Sequence, residues 1–130
     1  MRNKPTIDRE VELKASDELV SITDTRGIIT YANPAFIHIS GYTEAELITH
    51  NHNLVRHPDM PAEAFKDLWD KLKAGESWRG IVKNRCKDGS YYWVDAFVSP
   101  LYEKGRITGY QSVRIKAKPE YIKNATSLYA

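Results

Sequence analysis

Residues 78–117 limit the possible fold more than any other part of the chain. Three runs rich in β-branched and aromatic residues (78–87, 90–102 and 106–117) are separated by Lys87-Asp88-Gly89 and by Lys104-Gly105. An Asp-Gly pair between such runs is a strong hairpin signal. Strands joined by turns this short must pair antiparallel, because a parallel crossover needs a dozen or more residues. The final third of the molecule is therefore read as a three-stranded antiparallel meander.

The N-terminal part supplies two more strands and a helical block. Residues 18–25 carry Val20, Ile22 and Thr23 and end in the turn cluster 24–27, after which residues 27–32 read as a second strand. Asn33-Pro34 predicts a helix N-cap with proline at the first helical position, with Ala35, Phe36 and Ile39 following and Gly41 as the stop. Thr43-Glu44-Ala45-Glu46 is a capping box opening a second short helix with Leu47 and Ile48 turned inward. The longest helix begins at Pro61, where Phe65, Leu68, Trp69 and Leu72 recur at helical spacing before Gly75.

Residues 8–15 read as a short surface helix or arm anchored by Val11 and Leu13, and residues 119–129 as a helix leaving the domain. Strands flanking a helical block argue for an α+β fold, an antiparallel sheet covered on one face, rather than a doubly wound parallel sheet. At 130 residues, one domain is expected.

Composition excludes several function classes. The apolar fraction of 42% and charged fraction of 28% are those of a folded domain. The excess of 19 basic over 17 acidic side chains is small and scattered, so no nucleic-acid surface is expected. No apolar run is long enough to span a bilayer and no secretory signal opens the chain, so a cytoplasmic segment without direct membrane contact is expected. Cys86 is the sole cysteine, which excludes an internal disulfide and any multi-cysteine zinc site.

Three groups of residues could carry chemistry. In the strand from Trp78, period two sends Trp78, Gly80, Val82, Asn84 and Cys86 to one face, with Arg79, Lys83, Arg85 and Lys87 on a wet opposite face. Asn84 is the polar exception inside; it either offers a donor and an acceptor to a heterocycle edge or is satisfied by neighbouring backbone. The run His52-Asn-Leu-Val-Arg56-His57-Pro-Asp59-Met-Pro61 is a polar, restricted loop. Arg56 and His57 there suit a phosphate, and Asp59 either orients Arg56 or caps the following helix. An aromatic set (Tyr31, Phe36, Phe65, Trp69, Trp78, Tyr92, Trp93, Phe97 and Tyr110) either fills the core or walls a flat ligand.

The four histidines lack zinc spacing, although one axial haem ligand would need only one of them. No acid, base and nucleophile set converges, so a binding domain is expected rather than an enzyme.

Ala32-Asn33-Pro34-Ala35-Phe36 followed by Ser40-Gly-Tyr-Thr-Glu-Ala-Glu-Leu47 resembles the PAS family pattern, and residues 83–94 resemble its central hairpin. The runs 52–61 and 78–85 are similar to the signature of the aerotaxis-receptor PAS domains; the resemblance covers about residues 19–117. It implies a five-stranded antiparallel sheet with short helices on one face and non-covalent FAD between them. The family's flavin-associated positions fall on Asn33, Arg56, His57, Asp59, Phe65, Trp78 and Asn84, to which Trp69 is added as a stacking candidate.

The photosensing branch of the family carries an adduct-forming cysteine before its long helix. No cysteine stands there in this chain, so no covalent photocycle is expected. Where that branch has a glutamine near the flavin, this chain has Arg114, a cation that would favour a reduced, anionic ring.

The resemblance thus implies an N-terminal arm or cap helix (1–17), a PAS sensor domain (18–118) and an exit helix (119–130). The exit helix would point toward a HAMP-like signalling region outside the chain, and a receptor would tether the domain to the inner membrane. A homodimer through the arm is a further implied partner. The competing expectations are a PAS module holding haem or another small ligand, and a ligand-free dimerisation module.

Overall fold

The computed structural model describes residues 6–129; residues 1–5 of the arm lie outside them. The elements run β1 (Glu18–Thr23), β2 (Ile29–Ala32), α1 (Pro34–Ser40), α2 (Glu44–Leu47), a tight helical turn (His52–Val55), α3 (Ala62–Lys73), β3 (Trp78–Arg85), β4 (Tyr91–Glu103), β5 (Arg106–Lys116) and α4 (Pro119–Tyr129). All five strands join one sheet in the order β2-β1-β5-β4-β3, every pair antiparallel. The α+β, five-stranded arrangement expected from the sequence is the one observed.

Local chemistry explains the element ends. Asn33 caps α1: its Oδ1 accepts from the Phe36 N–H at 3.0 Å, and Gly41 closes the helix at φ 77°, a left-handed conformation suited to glycine. The Thr43–Glu46 capping box of α2 is complete, with both reciprocal bonds present. By contrast α3 starts after Pro61 with no side-chain cap. Asp59 is not that cap: its carboxylate is drawn 2.9 Å from Lys83 Nζ across the β3 edge.

Strand register sorts side chains between two faces. Leu19, Ser21 and Thr23 of β1, Tyr92, Val94, Ala96 and Val98 of β4, and Tyr110, Ser112 and Arg114 of β5 share the face toward the helices. The core forms where buried Phe36, Leu47, Val55 and Leu72 meet this face at Leu19, Ile29, Tyr92 and Val94. Tyr31 and Phe97 alternate outward instead and are about half exposed, at 46% and 48%, so these two aromatics are neither core nor ligand wall.

Three segments complete the sheet's surroundings. β5 reaches only as far as Val94, and the arm takes the place it leaves: Tyr91 N–H donates to the Arg9 carbonyl at 3.0 Å and Val11 N–H to the Tyr91 carbonyl at 2.7 Å. The described part of the arm is extended, not helical, with Leu13 buried. On the far edge, the loop after the tight turn crosses β3 through an Arg56–Asn84 bridge, covering a strand edge that would otherwise be open. There Lys83 keeps only 17% side-chain exposure, so the outer face of β3 is not uniformly wet. Finally, α4 does not leave the domain. The Tyr129 hydroxyl donates to the Ile81 carbonyl at 2.9 Å and Ala125 is buried, which lays the helix back on β3.

Candidate functional site

Between the inner face and its helical cover lies a cavity of about 140 Å³, lined among others by Arg56, Phe65, Trp69, Trp78, Asn84 and Arg114. These six of the nine residues anticipated from the sequence converge on it. Three elements and the loop before α3 carry them. Phe65 and Trp69 lie one helical turn apart on α3, Trp78 and Asn84 share the inward phase of β3, and Arg114 points in from β5.

The walls are aromatic. Trp69 meets Tyr110 edge-on at 5.4 Å between centroids. The Trp78 indole donates to an Asp67 carboxylate oxygen at 2.9 Å, tying β3 to α3. Gly80 makes room for that indole, because a Cβ there would come within 2.3 Å of its ring. Arg56 lies over the Phe65 ring at 4.1 Å. Asn84 is buried at 5% exposure, with its amide nitrogen 3.5 Å from the Tyr92 hydroxyl, leaving hydrogen-bonding capacity at the cavity wall.

The floor is polar in a way the walls are not. Arg114 is 2% exposed, sits 4.3 Å over the Phe36 ring, and has no carboxylate in ion-pair contact among the described residues. Its amino groups donate to His52 Nε2 at 2.8 Å and to Ser21 Oγ at 2.9 Å, while its buried Nε–H has no acceptor. Burial holds the Arg114 pKa down to about 10, so it stays a cation at neutral pH. Burial, with the adjoining Arg114 charge, pushes His52 down to about 3, although the residue as a whole is only half-buried.

The other three anticipated residues do not line the cavity. The Asn33 amide is spent on backbone, accepting from Phe36 and Val20 and donating to the Glu18 carbonyl at 2.9 Å. His57 is buried on the other side of the β3 edge, where its ring meets Tyr91 edge-on and its Nδ1 accepts from the Asp59 N–H at 3.0 Å. Asp59 is exposed and pairs with Lys83. These residues hold the loop and strands that carry the lining residues, without facing the cavity themselves.

Sequence reasoning missed Ser21, Thr23 and Ser112 as lining residues and His52 as the partner of Arg114. A signal existed. Ser21, Thr23, Ser112 and Arg114 all occupy inward positions of β1 and β5, and polar residues in an inward phase mark a site just as Asn84 does on β3. Of the four histidines, His38 and His50 are exposed, His57 lies outside the cavity, and His52 already accepts from Arg114. Among the described residues no group of three or more His, Cys, Asp and Glu side chains is placed to hold a metal ion.

A flat heteroaromatic ligand fits these donors: stacking walls, an amide, and an uncompensated guanidinium. The cavity is smaller than the roughly 300–1,000 Å³ of small-molecule pockets, so such a ligand requires the Trp69 indole or Phe65 to swing aside. They line the space without being locked in a filled core, as Trp69 and Phe65 are only partly buried.

Comparison with known proteins gives the family. The PAS fold model matches residues 29–114. The chain is 47% identical over 130 residues to the aerotaxis receptor of Escherichia coli (strain K12), covering 99% of this chain and 26% of that protein. It is 36% identical over 96 residues to a nitrogen fixation regulatory protein of Klebsiella pneumoniae, covering 73% of this chain and 19% of that protein. The chain thus spans 26% and 19% of the length of these two curated relatives. Among solved structures, a light-oxygen-voltage domain studied with a flavin analogue superposes with a TM-score of 0.77 at 25% identity, over 87% of each chain. The dark structure of the Aureochrome1 light-oxygen-voltage domain, at TM-score 0.75 and 24% identity over 86% of each chain, shares the fold.

Proposed function

The chain belongs to the PAS family, and from that membership we propose that it is the flavin-binding sensor domain of a chemoreceptor, reporting redox state to signalling regions elsewhere in its protein rather than turning over a substrate. The observation that carries this reading is the cavity itself, where aromatic walls close over a buried guanidinium with donor capacity to spare. Similarity to an aerotaxis receptor supports an oxygen- or redox-linked stimulus, and similarity to a light-oxygen-voltage domain studied with a flavin analogue supports a flavin as the ligand.

The cofactor proposed is FAD, which when bound supplies reversible electron uptake on a flat ring. Trp69, Trp78 and Phe65 would stack on or border that ring, Asn84 would offer donor and acceptor to its polar edge, and Arg114 would favour added negative charge. Arg56, bridged to Asn84 through backbone at the loop, would meet the phosphates. Asn84 is three residues along β3 from Ile81, whose carbonyl holds Tyr129 of α4, so a change felt at Asn84 has a short route to the C-terminal helix.

The receiving partner in this reading is a HAMP-like signalling region outside the chain, and the domain works in the cytoplasm, tethered to the inner membrane by the rest of a receptor. No helix among the described residues is long and apolar enough to cross a membrane. A homodimer formed through the arm belongs to the same reading; it could not use the Arg9 carbonyl and Val11 N–H, which are bonded to Tyr91.

The test is an absorption spectrum of gently purified protein, before and after dithionite. Flavin bands that bleach on reduction are expected. Protein that shows none and takes up no added FAD overturns the reading, and a Soret band instead would identify haem.

A further inference from the structure

Arg114, His52 and Ser21 form a closed triangle whose proton positions follow from chemistry alone. Arginine has donors and no acceptor. The nitrogen facing it at 2.8 Å, His52 Nε2, must therefore be the unprotonated one, and His52 is a neutral ring with its proton on Nδ1. Ser21 Oγ accepts from Arg114 at 2.9 Å and lies 3.0 Å from the same Nε2, whose single lone pair its hydroxyl shares with Arg114. A second positive charge on Nε2 is excluded while Arg114 keeps its place.

The guanidinium is nonetheless poorly compensated. The groups facing the triangle are Phe36 of α1, stacked 5.8 Å from the His52 ring, and the Tyr92 phenol of β4, which burial holds above its usual range. Beyond Tyr92 are Asn84 and the buried thiol of Cys86, both on the β3 side, and Tyr42. None of these is a carboxylate. A buried cation whose partners are two neutral groups and a ring, with its Nε–H unpaired, is a receptor for a negative group.

We propose that this triangle is a charge-operated proton latch: a ligand edge that becomes negative at the cavity floor draws the Arg114 amino groups from His52 and Ser21, and the released His52 Nε2 takes a proton from solvent. The inference rests on the flavin reading, the bound ring being the edge that becomes negative. Its consequence is that electron uptake by the domain is coupled to proton uptake by the protein, so the stimulus it reports depends on pH as well as on redox poise. His52 is a positioning and proton-holding residue in this scheme, and Arg114 is the element that senses charge.

The test is NMR of the whole 130-residue chain with ¹⁵N-labelled histidine. His52 is assigned through its contact with the Phe36 ring, so the reading needs no variant. In the ligand-free and oxidised FAD-bound protein, His52 Nε2 is expected to stay unprotonated between about pH 5 and 8. After dithionite reduction with FAD retained, both ring nitrogens are expected to be protonated. In weakly buffered solution, reduction should then take up about one proton more per flavin in the native protein than in His52→Gln, which keeps an acceptor for Arg114 and cannot hold a proton. A His52 ring that stays neutral with reduced FAD bound, or equal proton uptake in the two proteins, overturns the latch. A protein that retains no FAD at all overturns the flavin reading, and the latch with it.

Discussion

Arg56 and Arg114 line the same cavity and each stacks on a phenylalanine, at 4.1 Å over Phe65 and 4.3 Å over Phe36, yet they stand in opposite physical situations. Arg56 is half-buried on a loop at the sheet edge, where water supplies what the protein does not. Arg114 is enclosed on a central strand, and among the described residues no carboxylate offsets its desolvation. A cation at the mouth costs little and implies little. A cation at the floor costs stability in the ligand-free protein, which a fold tolerates where the charge is needed for something else.

The comparison can be broken most forcefully with acid. The unfolded chain binds a proton on His52 at its ordinary value near 6.5, whereas the folded triangle resists it until about 3. The folded state therefore binds fewer protons in this window, and the stability due to this residue is full above about 6.5 and lost as pH falls toward 3. The slope from one such group is at most about 1.4 kcal/mol per pH unit. Urea unfolding across that range should show the native protein losing ground to His52→Gln as pH falls, with parallel behaviour at neutral pH. Parallel curves throughout would mean that His52 is not locked at all.

A smaller effect is expected from Arg114→Gln. Glutamine keeps a donor and removes the charge, so flavin binding should survive while the reduced form loses about 1.5–3 kcal/mol of stabilisation, the worth of a charged hydrogen bond. Spectroelectrochemical titration should then show a lower midpoint potential. An unchanged midpoint would place the ring's charge away from the floor.

The smallest effect belongs to the mouth. Arg56→Gln gives up a partly exposed cation–π contact of about 0.5–1 kcal/mol. FAD affinity, read by flavin fluorescence, should weaken, and the gap between variant and native should shrink as salt is added. The melting temperature of the ligand-free protein should barely move. A large loss of stability here would show that the two arginines are more alike than their burial indicates.

Much of the fold was legible because its signals are local. The Asn33 cap, the Thr43–Glu46 box and the helix from Pro61 each depend on residues within one turn of each other, and all three elements form as their patterns suggest. The hairpin at Asp88-Gly89 forms as well, Gly89 taking a positive φ of 97°. Legibility failed where one residue had two possible partners. Asp59 suited a helix cap by spacing, but Lys83, 24 positions away, lies across the strand edge and claims it. His57 suited a phosphate by type, but the loop turns its ring onto Tyr91.

What the chain determined by itself was the alternation of its strands, the ends of its helices and the presence of Arg114 in an inward phase. All of these are set by short-range sterics and hydrogen bonding. Only the tertiary structure decided that Ser21, His52 and Arg114 touch, since they are separated by 31 and 62 positions and meet because β1 pairs with β5 while the turn after α2 folds over both. Strand order and loop path are global outcomes of burying one sheet face. A lone arginine in a sequence cannot state whether that burial will bring it a carboxylate or, as here, a neutral imidazole.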